Sequence, residues 1–252
     1  MKRSLFAALM AALFAAGSTA SVVAQTQGQI TVFAAASLTE AFNAAGAAFT
    51  KKTGTAVAFD YGGSDTLATQ IKQGAPADVF ASANLAQMKV VSDAGLVAGA
   101  PKTFAKNRLV LIAPKADAVK VTSPADLTKP GVKVVLAAAT VPVGAYARAT
   151  FAKLGLAVEP NVVSNELDVK AVVTKIALGE ADAGVVYSTD VTPSVASKLD
   201  EFPFPAAVAP DIEYPIAALK NAQNEKAAQA FVDYVISPEG QSFLKARGFI
   251  SP

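Results

Sequence analysis

The chain has 252 residues, 52% hydrophobic and 17% charged, enough to bury one large or two modest cores without metals or crosslinks. It contains no Cys and no His, which excludes disulfide stapling, the usual ligand sets of zinc and copper centres, and nucleophilic catalysis by Cys or by Ser with a His base. Of its 22 basic residues, Lys2 and Arg3 stand at the N-terminus and the other 20 balance 20 acidic ones, so nothing points to nucleic acid or to a polybasic membrane surface.

Met1-Lys2-Arg3, an apolar run over 5–17 and the small residues Val22 and Ala24 read as a secretory signal peptide at residues 1–24, with the mature chain starting at Gln25. The apolar run is short for a membrane span. With no Cys to carry a lipid, the expected location is the periplasm, as a free and unanchored protein. From there, Ile30-Thr31-Val32-Phe33-Ala34 predicts a buried strand, Ala35-Ala36-Ser37 a turn, and 38–52 a helix with Leu38, Phe42, Ala45 and Phe49 on one face. The unit repeats as a strand over 56–61, a Gly62-Gly63-Ser64 loop and a helix over 65–73, then as a strand over 78–81 and a helix over 85–94. Strands alternating with helices at this spacing predict a largely parallel sheet covered on both faces. A second α/β unit follows, with strands over 108–113, 133–137 and 183–187 and helices over 143–154 and 168–178, and Ser123-Pro124 starts a short helix. A strand over 216–219, a helix over 225–235 and a last helix from Pro238 to about 246 close the chain. No linker separates these parts, so the lobes are expected to be joined by crossing strands, with lobe one at 28–106 plus 216–252 and lobe two at 107–215.

Three strand ends lead through small or glycine-rich turns into helices: Ala36-Ser37-Leu38, Gly63-Ser64-Asp65 and Pro142-Val143-Gly144. Such ends face the crevice of an open α/β sheet, and the free N–H groups of a helix's first turn suit an anion. Taken singly, Ser37 reads first as an N-cap, Gly62-Gly63-Ser64 as a plain turn and Pro142-Val143-Gly144 as a helix start. A Ser-Lys catalytic arrangement remains arithmetically open, without a local motif to support it.

The blocks Ile30-Thr31-Val32-Phe33-Ala34-Ala35-Ala36-Ser37-Leu38-Thr39, Thr66-Leu67-Ala68-Thr69-Gln70-Ile71 and Gly74-Ala75-Pro76-Ala77-Asp78-Val79-Phe80 resemble the periplasmic molybdate-binding proteins of ABC transporters. Val141-Pro142-Val143-Gly144-Ala145-Tyr146-Ala147, Val185-Val186-Tyr187-Ser188-Thr189-Asp190 and Glu213-Tyr214-Pro215-Ile216-Ala217 continue the likeness in the same order. The resemblance covers essentially the whole mature chain. It implies a type II periplasmic-binding fold, two α/β lobes hinged around a cleft, and no enzymatic activity. It also implies a molybdate or tungstate ligand held as an oxyanion, with no cofactor and no metal ion coordinated by side chains. The implied contacts are the hydroxyl and backbone donors of Ser37 and Ser64 from the first lobe, with the N–H groups of Val143 and Val169 and the hydroxyl of Tyr187 from the second. The implied partner is the membrane permease of an ABC importer, served by a monomeric receptor.

Two departures stand out. Asp65 places a carboxylate beside the donor Ser64, so it must point away from a dianion, and Val143 stands where a smaller Ala is common. Asp65 is the residue that keeps phosphate as an alternative ligand, since a protonated anion gains from an acceptor; sulfate differs from molybdate mainly in size. Asp190 reads as a cap or hinge hydrogen-bonder, Arg108 as a surface or hinge ion pair at the lobe crossing, and Tyr146 as packing.

Overall fold

The computed structural model describes residues 28–116 and 119–252; the signal peptide expected at 1–24 lies outside them. The chain forms two α/β lobes, each a five-stranded mixed sheet with flanking helices. The first sheet contains β1 (Gln29–Ala35), β2 (Ala56–Gly62), β3 (Val79–Ala81), β4 (Val97–Asn107) and β10 (Ile212–Leu219), in the order β2-β1-β3-β10-β4. The second contains β5 (Leu109–Pro114), β6 (Val134–Ala137), β7 (Val162–Glu166), β8 (Ala183–Tyr187) and β9 (Leu199–Pro203), in the order β7-β6-β8-β5-β9. Helices α1 (Thr39–Thr53), α2 (Ser64–Lys72), α3 (Leu85–Asp93), α7 (Glu225–Ile236) and α8 (Pro238–Lys245) serve the first lobe, and α4 (Pro142–Leu154), α5 (Val169–Ala177) and the short α6 (Pro193–Ala196) the second.

Both faces of the first sheet are covered, which the alternation of β1 makes possible. Ile30, Val32 and Ala34 join the core formed with Phe42 and Phe49 of α1 and Phe231 of α7, whereas Phe33 packs with Leu67 and Ile71 of α2 and Met88 of α3. All four residues expected on the inner face of the first helix are buried. Phe42 and Phe49 meet Phe231 edge-on, with ring centroids 6.0 and 5.3 Å apart.

The sheets are mixed where the sequence predicts them largely parallel. In each, four strands run one way and one runs against them: β10 in the first and β5 in the second. These reversed strands are the ones that receive the chain as it crosses between sheets, so the reversal follows from the crossing itself. The return strand begins at Ile212, earlier than the sequence indicates, and carries Pro215 in its interior. Proline cannot donate to a ladder, and the pairing with β4 slips between Tyr214 and Pro215 to accommodate it. Strands β4, β7 and β9 have no counterpart in the sequence reading. All three lie at sheet edges.

Candidate functional site

The site is built where strands of both sheets end. After β1 the chain makes a 3-10 turn, Ala36–Leu38, that carries Ser37. After β2, Gly63 leads into α2, whose first residue is Ser64. In the second lobe, α4 opens with Pro142 and Val143 after β6, and α5 opens with Val169 after β7 behind the N-cap Asp168. Pro142 is tolerated there because a first-turn N–H has no partner within the helix. These turns meet in a small cavity lined by Ala35, Ala36, Ser37, Gly62, Gly63, Ser64, Ala83, Val141, Pro142, Val143, Asp168, Val169 and Tyr187. The five residues singled out in the sequence therefore line one cavity, and all five are buried.

Among the described residues no Lys or Arg lines this cavity; its polar groups are hydroxyls, the N-terminal amides of three helices and the carboxylate of Asp168. Ser64 Oγ accepts the N–H of Ala83 at 3.0 Å, which leaves its own proton free to be donated elsewhere. Ser37 Oγ lies 3.0 Å from the hydroxyl of Tyr214. The Tyr187 hydroxyl is buried and has no hydrogen-bond partner among the described residues. Burial pushes its pKa well above the usual tyrosine value, and the neighbouring Tyr214 and Tyr146 reinforce the shift, so it remains a neutral O–H donor.

Contacts across the cleft hold the lobes together. A Cβ added to Gly63 would lie 2.4 Å from the carbonyl oxygen of Leu167 in the opposite lobe, so this glycine serves close approach. Lys170 at the start of α5 reaches Glu40 of α1 at 2.9 Å and Asp190 at 3.3 Å, and Gln87 donates to the carbonyl of Thr140 at 3.2 Å. Asp190 is buried and also accepts the N–H of Tyr187 at 3.3 Å. Burial raises its pKa to about 6 against the lowering influence of Lys170. It does not line the cavity.

Asp65 is likewise absent from the lining, so the carboxylate beside Ser64 does not face the cavity. The lining carboxylate residue is Asp168, which accepts the N–H of Ala171 at 3.0 Å as an N-cap. Arg108 is exposed at the crossover, and Tyr146 packs against the core. Sequence reasoning missed Asp168, because an N-cap Asp signals only a helix start. Tyr214 and Asn107, which stand behind Ser37, were missed too; 177 positions separate Ser37 from Tyr214, and nothing local marks the pairing.

Two lobes closing on a small cavity lined by donors from both define a two-lobed binding protein. The chain matches the family described as bacterial extracellular solute-binding protein over residues 30–250. The molybdate-binding protein ModA of Mycobacterium tuberculosis is 43% identical over 252 residues, covering 98% of this chain and 95% of that protein. Two solved structures share the fold, each covering 88% of this chain at a TM-score of 0.78: the Azotobacter vinelandii periplasmic molybdate-binding protein (23% identity, 99% of that chain) and the sulfate-binding protein SubI of M. tuberculosis (18% identity, 86% of that chain). The chain belongs to the bacterial extracellular solute-binding proteins and, within them, to the ModA family. The family is one of substrate-binding proteins and not of catalysts.

Proposed function

We propose that this chain is a periplasmic receptor for molybdate or tungstate that delivers the anion, as a monomer, to the membrane permease of an ABC importer. The observation that carries the reading is the buried Tyr187 hydroxyl, unpartnered among the described residues, on the wall of a cavity that gathers the hydroxyls of Ser37 and Ser64 and helix N-termini from both lobes, its one carboxylate, Asp168, serving as the cap of α5. A fully deprotonated tetrahedral anion offers only acceptors, so a set of neutral donors satisfies it without a counter-charge. Ser37 and Ser64 supply one side; Val143 N–H, Val169 N–H and Tyr187 supply the other. An anion touched by both lobes stabilises the closed arrangement over an open one, which couples occupancy to the shape offered to the permease. The 43% identity to a molybdate-binding protein supports the choice of anion.

Phosphate fits this lining less well. A protonated phosphate needs an acceptor, and Asp65, the carboxylate beside Ser64, is not in the lining; Asp168, which is, holds one of its oxygens on the Ala171 N–H as the cap of α5. Sulfate shares molybdate's acceptor set and is separated from it by size. The test is isothermal titration of the mature, ligand-stripped protein with molybdate, tungstate, sulfate and phosphate at matched ionic strength. One-to-one binding of the first two, with the others far weaker, is expected; heat from sulfate or phosphate alone would overturn the anion assignment.

A further inference from the structure

The two serines of the first lobe differ in what stands behind them. Ser64 accepts a backbone N–H, which can only donate, so its hydroxyl proton points onward without further help. Ser37 instead faces another hydroxyl, that of Tyr214, and either oxygen of that pair could donate. The direction is decided one step further back, at Asn107, the last residue of β4 before the chain crosses to the second lobe. The Asn107 carbonyl oxygen accepts the backbone N–H of Arg108 at 2.8 Å and lies 3.3 Å from the hydroxyl of Ser188. Because the Arg108 N–H can only donate, it fixes which end of the amide is oxygen. The two amide protons then go to Thr189 Oγ1 at 2.9 Å and to the Tyr214 hydroxyl oxygen at 3.2 Å. The Tyr214 hydroxyl oxygen thus accepts a hydrogen bond from the Asn107 amide, and its own O–H is left to donate to Ser37. In the opposite arrangement the fully buried Tyr214 O–H would find no acceptor in either of its hydrogen-bonded neighbours, Ser37 and Asn107, and a lost hydrogen bond there is expensive.

We infer that Asn107 and Tyr214 are positioning residues that fix the Ser37 hydroxyl as a donor into the cavity, so that the site selects oxyanions that carry no proton. The inference rests on the oxyanion reading above and deepens it. The pair lies where both lobes meet, since Thr189 and Ser188 follow the cavity-lining Tyr187 and Tyr214 sits on the returning strand β10. The same bonds that orient Ser37 therefore tie the crossover to the second lobe. Burial keeps the Tyr214 hydroxyl neutral by pushing its pKa well above the ordinary tyrosine range, so the relay holds its polarity across neutral pH.

The experiment is a double-mutant cycle read by titration calorimetry with molybdate and with phosphate near neutral pH, on the wild-type chain, Tyr214→Phe, Ser37→Ala and the double variant. Tyr214→Phe is expected to weaken molybdate binding about tenfold and to narrow the preference for molybdate over phosphate. In the Ser37→Ala background the same change is expected to alter affinity by less than about twofold, because the hydroxyl it orients is gone. A purely structural tyrosine would weaken binding equally in both backgrounds, and that result would overturn the inference, as would no effect in either. Should Tyr214→Phe fail to fold, Asn107→Ser carries the same cycle with the same expectations. A wild-type chain silent to every anion would overturn the oxyanion reading and this inference with it; normal wild-type binding with an additive cycle overturns this inference alone.

Discussion

The two lobes share a strand order, β2-β1-β3-β10-β4 against β7-β6-β8-β5-β9, yet they meet the cavity with different chemistry. At the turns after β1 and β2 the first lobe presents Ser37 and Ser64; at the corresponding turns after β6 and β7 the second presents Val143 and Val169. One lobe offers side-chain hydroxyls whose direction depends on what lies behind them. The other offers backbone amides fixed by the helix they begin, with Tyr187 as its single lining hydroxyl among the described residues. The difference teaches where the site is mutable: a hydroxyl can be deleted by one substitution, whereas an amide persists under every side chain but proline.

Gly63→Ala should have the largest effect on binding, because the new methyl would collide with the Leu167 carbonyl across the cleft and hold the lobes apart. Affinity is expected to fall about 100-fold with a smaller drop in the ligand-free melting temperature, since the Leu167 clash exists only in the closed form whereas the 2.7 Å approach to Asp65 Oδ1 lies within one lobe. Calorimetry with thermal denaturation checks both. Deleting hydroxyls comes next: Ser64→Ala or Tyr187→Phe should cost about 1–3 kcal/mol of binding, the usual loss when a buried partner is left unsatisfied. Unchanged affinity in both variants would sink the assignment of these residues.

Asp190 gives an effect on stability instead of on the donors. Its pKa in the folded chain is raised to about 6, so between the ordinary value of 3.8 and 6 the folded state holds a proton that the unfolded state has lost. Stability from this group therefore falls as pH rises through that window and stays reduced above it, by about 3 kcal/mol. Denaturant unfolding of wild type and Asp190→Asn from pH 4 to 7 should show the gap between them shifting against the wild type and then levelling. Val143→Ala should have the smallest effect on binding, under about 0.5 kcal/mol, because the donating amide remains; a loss as large as that of Tyr187→Phe would erase the contrast between the lobes.

Much of this architecture was legible in the sequence, and the parts that were not share a cause. Interior strands such as Ile30-Thr31-Val32-Phe33-Ala34 and Ala183–Tyr187 announce themselves because both their faces are buried and every position tends to be apolar. Strands β4, β7 and β9 are edges, where one ladder is missing and exposed positions take Gly99, Pro101, Asn165 or Asp200, so neither run nor alternation survives. The strand β10 was clipped by Pro215, which a register slip tolerates but no local rule predicts. The lining residues were reachable through motifs at strand ends, while Tyr214 and Asn107 were not, because their role exists only after the chain has crossed between lobes and returned.

The most direct test of the central claim, that neutral donors from both lobes enclose a tetrahedral oxyanion, is crystallography of the molybdate-soaked protein with diffraction data collected at the molybdenum absorption edge. The account predicts one anomalous peak inside the cavity, with anion oxygens about 2.6–3.2 Å from Ser37 Oγ, Ser64 Oγ, Tyr187 Oη and the amides of Val143 and Val169. A peak elsewhere on the molecule, or one in the cavity coordinated by a single lobe, would contradict it.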